Sequence, residues 1–406
     1  MKRLVFLGSF FSCIVFAVFG ADFGLTLNQN PELNGAGKDT GLVYAGGTGP
    51  WVSASLHENL DVYFSGSLTV TYENEKWNLI PEISRFMISW RPLPVLGIDA
   101  GRIRFTDSNS VLAAGLFDGL AGVYEAGNTR LTLGAYYTGF LYKDTAAIFM
   151  GAGDTADYAR ELEYKDFGGT YFASRRFLAA LGWEAPALGG GPHGLSFQGL
   201  AQFDVNGRDE KIHTQYLSLR FLFSPVPVFD LTLGGIMGFA ETTGHAESPG
   251  TEISFALLAG GSWAPPSSPR DMLTLEFRWG SGRVNETVGP FRPVTTLAQG
   301  KVLNAGLPGL MVASGAYTLQ PVEGLSLSLE GLYFIRSDVQ TYTSPYLKSG
   351  GNKALGAEAY GSIAWVPVAD ISLTAGGGVF FPGTGNAFDS GAPVLWKAAL
   401  ALMLLF

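Results

Sequence analysis

Seven charged residues, Arg85, Arg102, Arg104, Arg176, Glu276, Glu330 and Glu358, lie inside runs made mostly of apolar, aromatic and small residues. Isolated charges in such runs suit one kind of chemistry. They can line a watery space, where fixed charge orients polar solutes and filters ions. Covalent and metal chemistry find less support. The four histidines, His57, His193, His213 and His245, are scattered over expected strand ends and loops, and His57-Glu58 lacks the second histidine of a zinc helix. Gly151-Ala152-Gly153 lacks the preceding strand and following helix of a dinucleotide loop. No catalytic residue, metal site or cofactor is expected.

The elements that would position these charges are strands. Period-two alternation runs through Leu60 to Tyr72, Leu131 to Tyr137, Leu195 to Phe203, Phe229 to Phe239, Leu273 to Trp279 and Leu325 to Tyr333. That period gives a strand one apolar and one polar face. The longer of these segments exceed the usual five or six residues of a soluble strand. Many end on an aromatic residue followed by proline: Trp90-Arg91-Pro92, Trp183-Glu184-Ala185-Pro186, Phe223-Ser224-Pro225, Trp263-Ala264-Pro265 and Trp365-Val366-Pro367. Proline cannot donate to a ladder and so marks strand ends. Longer polar stretches, 106–115, 142–168, 241–250, 281–308, 337–353 and 382–393, alternate with these short turns. The pattern predicts an all-β fold: a closed antiparallel transmembrane β-barrel of about 16–18 strands, with short periplasmic turns and longer extracellular loops. The first two strands, over 22–29 and 41–56, are the least regular.

Composition agrees. Of 406 residues 47% are hydrophobic, 13% aromatic and only 15% charged, below the roughly 25% charge of a soluble domain. Fifty-five glycines suit tight turns. The net charge of −9 argues against nucleic acid as a partner. Lys2 and Arg3 precede an apolar run from Leu4 to Phe19, which reads as a secretory signal peptide over 1–20 with cleavage after Gly20. The one cysteine, Cys13, lies inside it, which leaves residues 21–406 as a single cysteine-free barrel. No later run reaches the eighteen or so apolar residues of a membrane helix.

The last twelve residues, Leu395 to Phe406, form an apolar run too short for a membrane helix and right for one tilted membrane strand. With Phe406 at its end the chain resembles the bacterial outer-membrane β-barrels, whose terminal phenylalanine is read by the barrel assembly machinery. Gly101-Arg102-Ile103-Arg104-Phe105, followed by a loop and Phe117-Asp118-Gly119-Leu120, is similar to the early barrel of alginate-export-type and other substrate-specific porins. That resemblance implies a conduit for hydrophilic solutes without naming the solute. The amino-terminal hatch signature of the long-chain fatty-acid transporters is not matched at Asn30-Pro31-Glu32.

Placement of the charges follows from parity. Trp90, Trp183, Trp263 and Trp365 are expected on the lipid face at the periplasmic interface. Arg85 lies five residues before Trp90, Arg176 seven before Trp183 and Glu358 seven before Trp365, so all three should point inward. Glu276 and Glu330 alternate with lipid-facing neighbours, and Arg102 and Arg104 are placed in the lumen with them. Basic residues gather in the first half of the barrel and acidic ones in the second. They would form opposed walls, or else pair locally, as Glu276 and Arg278 could. The stretch 142–168 is expected either to fold into the lumen as a constriction, with a short helix over 154–163, or to lie on the surface. These readings point to an outer-membrane channel of a diderm bacterium, surrounded by lipid and open to homo-oligomer formation. The alternatives are a barrel-based surface protein or adhesin, or a transporter of hydrophobic substrates.

Overall fold

The computed structural model describes residues 21–406 apart from 74, 244–249, 267 and 269. The leader, with Cys13 and its cleavage point, and His245 lie outside the described residues.

Eighteen strands are described. They are β1 (Ala21–Ala36), β2 (Asp39–His57), β3 (Leu60–Glu73), β4 (Lys76–Leu93), β5 (Leu96–Thr106), β6 (Ala114–Ala126), β7 (Thr129–Tyr137), β8 (Arg176–Ala185) and β9 (His193–Asp204) in the first half. The second half holds β10 (Lys211–Val226), β11 (Phe229–Thr243), β12 (Gly250–Trp263), β13 (Met272–Gly280), β14 (Leu310–Val322), β15 (Leu325–Arg336), β16 (Ala354–Val368), β17 (Ile371–Phe381) and β18 (Leu395–Leu405). Each strand pairs antiparallel with the next. β18 pairs back onto β1, from Thr26 opposite Leu405 to Ala36 opposite Leu395, which closes the barrel. Closure pairs the first strand with the last, so neither leaves a free terminal edge for the bilayer to satisfy.

The turns 58–59, 94–95, 127–128, 227–228, 323–324 and 369–370 are tight and follow even strands. The long loops, 107–113, 138–175, 281–309, 337–353 and 382–394, all follow odd strands and so crowd one end. β1 and β2 run longer than the pattern suggests and meet at a two-residue turn, 37–38. The polar row Asn28, Asn30, Glu32 and Asn34 hides the second half of β1, beyond the expected 22–29, because its watery side carries more signal than its apolar one.

Apolar side chains at alternate positions, such as Phe64, Leu68, Leu133, Leu217, Leu275 and Leu329, stay exposed around the outside. The apolar core lies inside the barrel. Inward residues of β5 to β12, among them Ile103, Phe117, Tyr136, Leu178, Leu200, Tyr216, Ile236 and Ala256, pack with Leu112 from one loop and Phe291, Val294 and Leu307 from another. A second cluster joins Val312, Leu332, Phe334, Leu355 and Phe380 with Phe388.

Candidate functional site

The candidate site is the lumen and the loops that narrow it. Loop 107–113 is built on Asp107. Its Oδ1 accepts from the backbone N–H groups of Leu112 and Ala113, both at 2.8 Å, and its Oδ2 accepts from Asn109 at 2.9 Å. Burial pushes this carboxyl up from its ordinary value, against those backbone donors. The turn aims Asn109 across the barrel, where its Nδ2 donates to Ser218 Oγ at 2.8 Å and to the Leu219 carbonyl at 3.1 Å. Opposite stands Gly234 on β11, where any Cβ would overlap Asn109 Oδ1. A loop between β5 and β6 therefore bears on β10 and β11.

Two more loops complete the plug. Val294 N–H donates to the Leu112 carbonyl (2.7 Å), and Ala114 N–H donates to Thr295 Oγ1 (2.9 Å). Ile148 forms a bridge with Thr295, Phe149 N–H donates to Val294 O, and Thr296 N–H donates to Ala147 O. Phe291 and Val294 are wholly buried. Loop 138–175 thus joins the constriction, but only through residues 147–149. Its longest helix is Ala152–Tyr158, earlier than the expected 154–163. Loops 107–113 and 281–309 supply most of the plug. Sequence reasoning treated both only as polar connections. The apolar Val111-Leu112-Ala113 and the run Pro290 to Val294 are the signals that could have revealed them.

The structure divides the charged candidates into two sets. Arg85, Arg176, Glu276, Glu330 and Glu358 share the inward parity of their strands. Arg102 and Arg104 do not. They alternate with inward, buried Ile103 and Phe105, so both stand on the outer-face rows. Arg104 is exposed there and Arg102 is buried in the wall. The expectation rested on depth along β5 and not on parity, and parity cannot be counted across the β4–β5 turn, where the register shifts between Trp90 and Leu93.

Most inward charges are locally paired. Arg176 is ion-paired to Asp154 of the short helix at 2.5 Å and to Asp204 of β9. Glu276 holds Arg278 at 2.5 Å, and Glu330 faces Lys301 at 3.7 Å. Glu358 is buried and receives the backbone N–H groups of Lys301 (2.7 Å), Val302 (3.0 Å) and Leu303 (2.8 Å), pinning loop 281–309 to β16. Arg85 differs. Its guanidinium lies 5.5 Å over the Tyr63 ring, and among the described residues it has no carboxylate partner. Arg220, inward on β10, likewise donates only to the Ser108 carbonyl (3.1 Å). The sequence reading did not single out Arg220, Arg278 or Lys301.

The face left bare by the loops is polar. A cavity of about 260 Å³ follows Thr26, Asn28, Ser65, Ser67 and Thr69 on β1 to β3. One of about 500 Å³ lies between Glu32, Lys397 and Lys301. Above the plug a vestibule of about 1100 Å³ opens between Glu252, Arg283 and Arg292, where Glu252 bridges both arginines at 2.8 and 2.7 Å. Below it about 300 Å³ surrounds Arg220, Asp230, Glu276 and Arg278.

The barrel's likeness to solved structures is broad. OccK5 (OpdH) of Pseudomonas aeruginosa aligns over 95% of this chain and 98% of its own, with a TM-score of 0.63 at 10% identity. OccK2 (OpdF) of the same organism, solved in complex with glucuronate, aligns over 95% and 98% with 0.61 at 10%. The outer membrane protein OprD of P. aeruginosa aligns over 95% and 93% with 0.59 at 12%. The chain has the fold of these outer-membrane porins. No family model and no curated sequence matches it, so the likeness is one of fold. The four tryptophans, Trp90, Trp183, Trp263 and Trp365, each lie on the last rungs of an even strand, β4, β8, β12 and β16, at the end opposite the long loops. Three are exposed, and Trp183 is half-buried on the outer parity of β8.

Proposed function

We propose that this chain is an outer-membrane channel for small hydrophilic solutes, with its path along the bare wall of β1 to β3 and β18. The observation that carries the reading is the asymmetry of the lumen. Three loops fill the side lined by β5 to β12, while Asn28, Asn30, Ser65, Ser67 and Thr69 leave the other side polar and open. A closed barrel with a dry core would have no use for such a wall. Hydroxyl and amide side chains replace part of a solute's hydration, and Arg85, over the Tyr63 ring that lines the same cavity, adds a charge with no carboxylate partner among the described residues. Acidic sugars are the first solutes to test, because Arg85 and Arg220 lack carboxylate partners and OccK2 was solved with glucuronate. Phe406, whose backbone exchanges two hydrogen bonds with Leu25 beside the closing strand, serves in this reading as the assembly signal.

The test is planar-bilayer recording of the refolded mature chain. Stepwise conductance, reduced by millimolar glucuronate, is the expected result. A folded, heat-modifiable barrel that passes no current would overturn the proposal.

A further inference from the structure

The barrel wall has a seam. β4 and β5 pair from Leu93 opposite Leu96 to Met87 opposite Gly101, and no pairing continues above that point. The upper half of β4 is therefore a sheet edge, and Pro81, which has no N–H to offer, sits in it. Carbonyls along this edge accept from side chains. Tyr164 Oη donates to Leu79 O, Tyr171 Oη to Pro81 O (2.7 Å) and Arg102 Nη1 to Ile83 O. Arg102 also grips Asp118 at 2.9 and 3.1 Å and the Phe140 carbonyl at 3.0 Å. Loop 138–175 thus closes the wall where a strand does not.

The closure is uneven, and the unevenness is on the outside. Across β2, β3 and β4 the outer rows read Thr48–Leu68–Pro81 and Pro50–Gly66–Ile83, with Phe64 opposite Phe86 below. Gly66 leaves a dip between Phe64 and Leu68. Phe140 and Phe172 rise from the loop as its far bank, with Phe167 and Tyr171 behind them. The resulting groove of about 670 Å³ is almost wholly apolar, in the size range of sites that hold small molecules. Leu68, Ile83, Phe140 and Phe172 are all exposed to it or beside it. Its height is set by Trp90 on one side and by the cluster of Trp77 with Tyr44 (6.0 Å) and Tyr72 (4.8 Å) on the other. Ile83 lies between these aromatic markers on β4, within the apolar belt of about 25 Å.

We propose that this groove is a binding site for one acyl chain of a membrane lipid. The occupant follows from continuity, because the groove is a concavity in the lipid-facing belt and an unfilled one would forfeit contacts on both sides. It follows also from charge. Arg102 at the floor is satisfied by Asp118, two carbonyls and Glu82, the groove's other charged lining residue, at 3.8 Å, so neither charge is left for a headgroup and the tail is what the groove recognises. The proposal rests on the membrane reading above and goes beyond it.

Photo-crosslinking tests both separately. The mature chain is reconstituted in phosphatidylethanolamine vesicles whose lipid carries a diazirine in one acyl chain. Adducts should be enriched severalfold at Ile83, Phe140 and Phe172 over Leu133 and Leu217 on the open outer face. At Gly66 a Cβ would meet only the Glu82 carbonyl oxygen, at 3.7 Å, so Gly66→Phe should fill the groove. It should abolish the enrichment and leave labelling at Leu133 intact. Thr48→Phe fills the groove from β2 and serves if the first variant fails to fold. Even labelling around the barrel, enrichment that survives both fillings, or adducts joining two chains at these residues would overturn the groove assignment alone. Loss of labelling at Leu133 as well would overturn the membrane reading with it.

Discussion

Arg85 and Glu358 are both inward charges on strands, yet their surroundings give them different work. Arg85 has the Tyr63 ring and the Met87 sulfur beside it, and among the described residues no carboxylate, so its field reaches the open polar wall. Arg85→Gln is expected to shift the reversal potential in a salt gradient toward cation preference, with single-channel conductance changed little. An unchanged potential would remove Arg85 from the conduction path. Glu358 spends its charge on three backbone donors of loop 281–309. A hydrogen bond to a charged group contributes about 1.5–3 kcal/mol, and the amide of Glu358→Gln can no longer accept on its nitrogen side, so the loop should loosen by about one such bond. The readout is faster hydrogen exchange at 301–303, with exchange in β16 itself unaltered.

Among the elements, the plug and the barrel have separable stabilities, because the plug's contacts are side chains and a few backbone bonds while the wall is a ladder around the whole barrel, broken only at the β4–β5 seam. Phe291, on loop 281–309, is wholly buried against loop 107–113 and the inner wall. Phe291→Ala should weaken loop docking by about 3–5 kcal/mol, raise conductance and add open-state noise, with heat-modifiable migration kept. If conductance does not move, the constriction lies elsewhere. Asp338 ties loop 337–353 to the same region by accepting Arg283 N–H at 2.8 Å and Thr341 N–H and Oγ1–H at 2.7 and 2.6 Å. Burial opposes its charge, but the donors of Thr341, Gln340 and Arg283 prevail and hold the carboxyl below its ordinary 3.8. A lowered folded value means that the stabilisation is present above the unfolded value and is lost as pH falls through the folded one. Loop exchange at 283–288, taken relative to the intrinsic amide rate at each pH, should therefore stay flat from neutral pH down to the ordinary carboxylate range and rise below it. Asp338→Asn should raise it at neutral pH, by the equivalent of about 1–3 kcal/mol.

At the scale of the molecule, the barrel sets its own depth in the bilayer. Trp90, Trp183, Trp263 and Trp365 recur every fourth strand at one end, on the outer face. Indole rings favour the interface, where an apolar body and a polar N–H are both served. Variants that keep one of the four and replace the other tryptophans by phenylalanine should show similar, shallow quenching by brominated lipids. Maximal quenching by bromine at the bilayer centre for any of them would contradict that placement.

Strand number, alternation and the position of the long loops were legible in the sequence, because a period of two and an aromatic-proline stop are local properties of the chain. Parity within one strand was legible for the same reason: Arg85, Arg176 and Glu358 could be aimed by counting from a tryptophan. What counting could not do was cross a turn. The register shift between β4 and β5 put Arg102 and Arg104 on the outer rows, and a shift is decided by pairing with another strand. Nor could it foresee who neutralises whom. Arg176 meets Asp154 across 22 residues, and Asn109 meets Ser218 across 109, through loops that turn inward. Those meetings depend on closure of the sheet, which brings loops of distant strands to one end and leaves them a single interior to share. The seam above Gly101 is decided the same way, since only a folded loop 138–175 can cap the carbonyls that β5 leaves unpaired.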